Sequence, residues 1–383
     1  MLLLDLTHTS HTRARTGVQR VARSLAAELG SRAVPICHDP YARAWRPLDP
    51  WERGNLAATA PAAKRGARWP WSARLRGFLR RGSAPELGAD GGLLVPEIFS
   101  PAVASALPAL FARVRGPRVA LFHDAIALQL PELTPARTVA RFPSYLRELQ
   151  AFDGIAAISE ASRESLLGYW AWLGGGSPPP VAAIPLGIDP PGGGAPPPPA
   201  GPPPVVLCVA SVEGRKNHLA LLEACEQLWA RGESFALRLI GLGQPQTGGA
   251  ALQRIAALQA AGRPLRYDGP VDEAGLAAAY RECAFTVYPS LLEGFGLPVL
   301  ESLSRGRPCV CSGRGALGEA ARGGGCLPLE SVSAPALAGA IGRLLAEPAR
   351  LGRLAAEARA RPVRGWADYV RDLLSWMDSL PRR

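Results

Sequence analysis

Short apolar runs alternate with helix-like stretches along almost the whole chain. Runs at 1–6, 33–36, 92–95, 118–123, 154–158 and 181–184 are interleaved with stretches of helical spacing such as 17–30 and 159–168. After a break the alternation recurs, with apolar runs at 205–210, 235–240, 284–288 and 308–311 and helical ones at 218–231, 272–283, 298–305 and 333–347. Such alternation predicts α/β structure: parallel sheets covered by helices on both faces. The break, PPGGGAPPPPAGPPP at 190–204, cannot form helix or sheet, because proline withholds donors and glycine adds conformational freedom. The simplest architecture is therefore two Rossmann-like domains facing a cleft, 1–189 and 205–362, joined by the linker 190–204. Ligands of such sheets sit at the carboxyl ends of the strands. A last helix, about 363–380, carries Trp366, Tyr369, Val370, Leu373, Leu374, Trp376 and Met377, an apolar stripe that needs a partner surface.

Length agrees with this division, since 383 residues exceed one ordinary core. Seven cysteines are scattered without a CxxC pair, several of them in apolar runs, which reads as buried reduced thiols in a cytoplasmic protein. No stretch approaches the roughly 18 uninterrupted apolar residues of a membrane span. The opening MLLLDLT, broken by Asp5, reads as a first buried strand and not as a signal peptide. A net charge of +11 calls for anionic partners, yet nearly all of it is arginine, and the only lysines are Lys64 and Lys216. That compositional bias says little about partners, and nucleic acid is not expected among them. It does single out Lys216.

The most informative string is YPSLLEGFGLPVLE, Tyr288 to Glu301. Pro298 suits the first position of a helix, where its missing N–H would have no partner. Amides around Gly296 and Leu297 would then point outward at the positive helix end, where phosphate is favoured. Glu301, in the first turn, can accept from vicinal hydroxyls, and Glu293, on the preceding loop, can do so for a second polyol. Together they would serve the ribose, diphosphate and sugar of a sugar nucleotide.

This string resembles the E-x7-E signature of the retaining glycosyltransferases of family 4, which have the GT-B fold. The resemblance implies that Glu293 meets the donor sugar, that the loop Gly294, Phe295, Gly296 and Leu297 meets the diphosphate, and that Glu301 meets the ribose. In ASVEGRKNHLALLEA, 210–224, Arg215 and Lys216 occupy a strand-to-helix loop and can neutralise a departing diphosphate. The string resembles the family's phosphate loop, although the arginine usual several residues earlier is replaced by Ser211. Gly17, between THTSHTRART and a helix, resembles the glycine loop that holds the diphosphate from the other side. His123 and Asp124 end the strand of RVALFHDAIAL. A histidine there implies contact with the donor sugar or the reacting centre, and Asp124 would orient it or the acceptor. AAISEASRESL and AIPLGID resemble the closing strands of the first domain, LRYDGPVDEAGLAAAY the edge of the base site, and GRGALGEAA a wall behind the donor, with Glu319 as a further contact. LIGLGQ offers Gly241 and Gly243 but no third glycine, so it is no dinucleotide fingerprint.

The resemblance implies a metal-independent retaining hexosyltransferase that needs no cofactor beyond its nucleotide-sugar substrate. No DxD motif appears, and the phosphate site is cationic. The TGVQRV, HDAIAL and ISEASR strings resemble bacterial surface-polysaccharide mannosyltransferases, which makes GDP-mannose the first candidate donor, with UDP-glucose, UDP-GlcNAc and GDP-fucose open. The acceptor would be a saccharide or lipid-linked hydroxyl, in polysaccharide or glycolipid biosynthesis. A GT-B sugar-nucleotide epimerase and a non-catalytic nucleotide-binding scaffold are the alternatives. Finally, 64–82 carries Lys64, six arginines, Trp69, Trp71, Leu75, Phe78 and Leu79. From Trp71 its apolar residues recur at helical spacing opposite a basic face, as in helices that lie on anionic membranes. The expected location is therefore cytoplasmic, with peripheral attachment to the inner face of the cell membrane.

Overall fold

A computed structural model describes residues 1–14, 17–58, 68–81, 87, 90–174, 177–189, 201 and 203–381. Lys64 and most of the linker, 190–200 and 202, lie outside the described residues. The chain divides into two compact units: Met1–Asp124 with Arg141–Gly187 and Trp366–Arg383, and Ala125–Ala140 with Ile188–Gly365. Residues 125–140 thus group with the second unit, although they fall within the span expected of the first domain.

The first unit holds a seven-stranded sheet: β1 (Leu2–Asp5), β2 (Ala33–Asp39), β3 (Ala44–Pro47), β4 (Leu93–Val95), β5 (Arg118–Phe122), β6 (Gly154–Ala157) and β7 (Val181–Ala183). Their order is β3-β2-β1-β4-β5-β6-β7, parallel except for β3 at one edge. The second unit holds β8 (Val205–Val209), β9 (Ala236–Ile240), β10 (Leu265–Tyr267), β11 (Phe285–Tyr288), β12 (Cys309–Ser312) and β13 (Cys326–Leu329). Their order, β10-β9-β8-β11-β12-β13, is all parallel and is that of a doubly wound nucleotide fold. Because helices cover both faces, the strands are mostly apolar and every residue of β1, β5, β6 and β11 is buried, Asp5 and Arg118 included.

Local signals explain several helix starts. Asp49 and Glu52 form a capping box with Pro50 in the first turn, and the side chains of Ser100, Ser159 and Asp272 accept from the amides of Val103, Ser162 and Gly275. The terminal helix Trp366–Asp378 buries Trp366, Tyr369, Val370, Leu373 and Met377 and belongs to the first unit. It packs on the helix Gly17–Leu29 and over the start of β6, where a Cβ added to Gly154 would come within 2.8 Å of Trp376. All seven cysteines are buried and free. Among the described residues no helix is long and apolar enough to cross a membrane.

Candidate active site

In the second unit, β8 leads on to β9 on one side while β11 leads on to β12 on the other. The strand order thus reverses between β8 and β11, and such folds take their ligands at the carboxyl edge beside that point. Arg215 and Lys216 lie on the loop after β8, and Glu293 lies on the loop after β11. The two loops are tied together: Leu291 N donates to Arg215 O over 2.9 Å, and Asn217 Nδ2 donates to Pro289 O (3.2 Å) and Val332 O (2.8 Å). Asn217 takes the left-handed conformation (φ 57°), which asparagine tolerates better than most residues.

Glu293 is the hub. Its Oε2 accepts from Arg215 Nη1 (2.8 Å), and its Oε1 accepts from Lys216 Nζ, Tyr288 OH (2.9 Å) and Ser290 Oγ. Arg215 also pairs with Glu213 at 2.9 Å. Burial alone would raise the Glu293 carboxyl, but Arg215 and Lys216 outweigh it and hold the group at about 2. Lys216 is shifted down from the ordinary lysine value, by burial first and then by Arg215, against the pull of Glu293 and Glu213. The result is a carboxylate, 9% exposed, carrying two cations, one of which, Arg215, keeps about a quarter of its side chain exposed between Glu293 and Glu213.

The turn after Glu293 leads into the helix Leu297–Ser304. Pro298 is therefore its second residue rather than its first, and Glu301 is its fifth, in the second turn rather than the first. Gly294 and Gly296 are buried, while Phe295 and Leu297 are half-buried. Gly296 caps the helix at φ 99°, and a Cβ there would lie 3.1 Å from Leu317, so both backbone and space call for glycine. Glu301 is buried, and its carbonyl accepts from Ser304 Oγ and Arg305 Nη1. Glu319 is half-buried on the helix Gly315–Ala321. Gly241 is explained by the fold: at φ 149° a Cβ would strike the Ala210 carbonyl at 2.0 Å.

In the first unit the corresponding reversal lies between β1 and β4. There Glu97 accepts from the amides of His8 and Thr9, each at 2.8 Å, and from the Thr9 hydroxyl, while Asp5 accepts from Thr7 N at 2.9 Å. Burial, and then the Glu97 charge, raise the Asp5 carboxyl to about 7. Gly17 is the first residue of its helix, with open space where a Cβ would stand. His123 follows β5 and is buried, its Nε2 set 2.7 Å from the Pro96 carbonyl. An imidazole nitrogen facing a carbonyl must donate, so Nδ1 is the remaining acceptor. Burial lowers this histidine, against smaller pulls from the Pro96 carbonyl and half-buried Asp124. Among the described residues one trio, His11, Cys37 and Glu52, gathers within 4.8 Å as metal ligands would. Both Glu52 oxygens, however, accept from Arg46, and burial holds Cys37 well above its ordinary value, as a thiol. That chemistry is of a buried hydrogen-bond cluster and suits a cation poorly.

Reading the sequence missed Tyr288, Ser290 and Glu213 as members of the Glu293 cluster, and Asn217 as a tie between its loops. Tyr288 and Ser290 stand in the same YPS segment that leads to Glu293, so their proximity was the available signal.

Comparison with known proteins adds the wider setting. Residues 203–347 match the sequence model of the family described as "Glycosyl transferases group 1". The chain is similar to the serotype-specific mannosyltransferase WbdA of Escherichia coli, with 25% identity over 334 residues, covering 81% of this chain and 38% of that protein. It therefore spans well under half the length of that relative. Among solved structures, sucrose-phosphate synthase from Thermosynechococcus elongatus superposes with a TM-score of 0.67 at 19% identity, covering 98% of each chain. HepE from Anabaena, in complex with UDP and glucose, gives 0.66 at 14% identity, covering 99% of each. The fold is GT-B, built of two Rossmann-like units. By sequence, the chain is similar to the group 1 glycosyltransferases over 203–347 and to a mannosyltransferase over most of its length.

Proposed function

We propose that this chain is a retaining glycosyltransferase that moves a sugar from a nucleoside-diphosphate donor to a hydroxyl of a saccharide or lipid-linked acceptor. The observation that carries this reading is the Arg215–Lys216 pair held by Glu293 at the carboxyl edge of the second sheet, inside the segment that matches the glycosyltransferase family. In the reaction the acceptor oxygen bonds to the anomeric carbon on the face from which the phosphate departs. The anomeric C–O bond breaks with its electron pair going to the phosphate, and the acceptor proton passes to the same phosphate. The departing group gains charge, and the two cations stabilise it. The loop Gly294–Leu297 serves the diphosphate and buried Glu301 the ribose, while Glu293 orients the sugar and does not act as a nucleophile. His123, with Nδ1 as its acceptor, and Asp124 stand as contacts for the sugar or acceptor, and Gly17 and Glu319 as outer contacts. GDP-mannose leads as donor because WbdA is named a mannosyltransferase; the UDP and glucose bound to HepE make UDP-glucose its main rival.

The reading extends to an anionic membrane surface as partner. Its support is the helix Trp71–Leu79, which packs inward through Ala73 and Gly77 and exposes Trp71 (75%), Leu75, Phe78 and Leu79 (79%). Arg74 and Arg81 flank that apolar ridge on one side and Arg76 and Arg80 on the other, the arrangement of a helix lying in a lipid interface.

Incubating the chain with a panel of nucleotide sugars and saccharide or lipid-linked acceptors, then reading products by mass spectrometry and proton NMR, tests the reading. It predicts release of nucleoside diphosphate and a product with the donor's anomeric configuration. An inverted product would overturn the retaining course. A sugar nucleotide altered without acceptor would point to an epimerase, and binding without turnover to a scaffold.

A further inference from the structure

Tyr288 closes a ring of contacts with Lys216 and Glu293. Its hydroxyl accepts from Lys216 Nζ and donates to Glu293 Oε1 over 2.9 Å. A phenol suits this place because it can accept from a cation and donate to a carboxylate at once. Burial, and then the Glu293 charge, push the phenol well above its ordinary value, so it keeps the proton that it donates.

We propose that Tyr288 is a positioning residue for the diphosphate site: its hydroxyl aims Lys216 and keeps it charged in a buried setting. This rests on the reading of Lys216 as a diphosphate ligand. The charged and titratable groups that face Lys216 are Arg215 and Glu213 on its own loop, Tyr288 and Glu293 from β11 and its loop, Cys208 from β8 and His218 from the following helix. Burial puts Cys208 at about 12 and His218 at about 4, so both are neutral from pH 7 to 10. Within that range the ammonium rests on Glu293, Glu213 and the Tyr288 hydroxyl.

Tyr288→Phe keeps the ring and removes the hydroxyl. Binding of inorganic pyrophosphate, followed by calorimetry from pH 7 to pH 10, is the readout. An ammonium that loses an acceptor gives up its proton more readily, so the alkaline limb should fall about one pH unit lower than in the wild type, with roughly tenfold weaker binding at pH 7. An unmoved limb in Tyr288→Phe, or a variant that no longer folds by near-ultraviolet circular dichroism, overturns the positioning role. Wild-type binding that survives Lys216→Ala unchanged would instead overturn the diphosphate reading itself.

Discussion

Glu293→Gln keeps the shape of the hub and removes its charge. The carboxyl, ordinarily near 4.5, is held at about 2, and the difference corresponds to about 3 kcal/mol of native-state stabilisation. Arg215 is partly exposed and keeps Glu213, so the net loss at pH 7 should be about 2–3 kcal/mol. The sign is fixed by the direction of the shift. A carboxyl lowered on folding contributes its full stability above pH 4.5, and that contribution fades as pH falls toward 2. Wild type and variant should therefore differ by about 2–3 kcal/mol at pH 7 and by about 2 kcal/mol less at pH 3. Urea unfolding followed by tryptophan fluorescence at both pH values measures this. Sugar transfer should be lost with the carboxylate. Equal urea midpoints at pH 7, or a gap that does not change with pH, would refute the assignment of Glu293 as a counter-ion.

Asp5 should behave in the opposite sense: its carboxyl is raised to about 7, so its cost to the native state grows as pH rises from 4 to 8. Asp5→Asn, which keeps an oxygen for Thr7, should stabilise by about 2–4 kcal/mol at pH 8 and not at pH 4; thermal unfolding with the same gain at both would refute this. Glu301→Ala should abolish nucleoside diphosphate binding in calorimetry while leaving the fold intact, whereas full retention of affinity would remove it from the ribose site. Replacing Arg74, Arg76, Arg80 and Arg81 with glutamine should reduce co-sedimentation with anionic vesicles, since each nearby basic residue contributes roughly 1 kcal/mol, and should spare transfer to a soluble acceptor. Unchanged sedimentation would make the helix an ordinary surface element.

Much of the fold was legible because a parallel sheet buried on both faces writes its strands as mostly apolar runs, as in Leu2–Asp5 and Phe285–Tyr288. What escaped lies where that rule weakens. The edge strands Ala44–Pro47, Leu265–Tyr267 and Cys326–Leu329 are short and half-buried, and two of them contain proline. Helices Pro101–Phe111 and Ala136–Glu148 carry internal prolines, Pro108 and Pro143, that local spacing reads as breaks. At the site, Lys216 and Glu293 could be picked out one by one, as a rare lysine and a carboxylate before a Gly-Phe-Gly turn. Their direct pairing across 77 residues follows only from the strand order that sets β8 beside β11. The roles of Tyr288 and Asn217 likewise depend on that juxtaposition.

The central claim is that the cations gathered around Glu293 bind the diphosphate of a nucleotide sugar. Calorimetric titration of wild type and Lys216→Ala with GDP and UDP tests it most directly. The account predicts saturable binding of at least one nucleotide to the wild type, and affinity lower by about 10- to 100-fold in a folded Lys216→Ala variant, the loss expected for one charge-assisted contact. Equal affinity in the two proteins, or no binding of either nucleotide to the wild type, would contradict it.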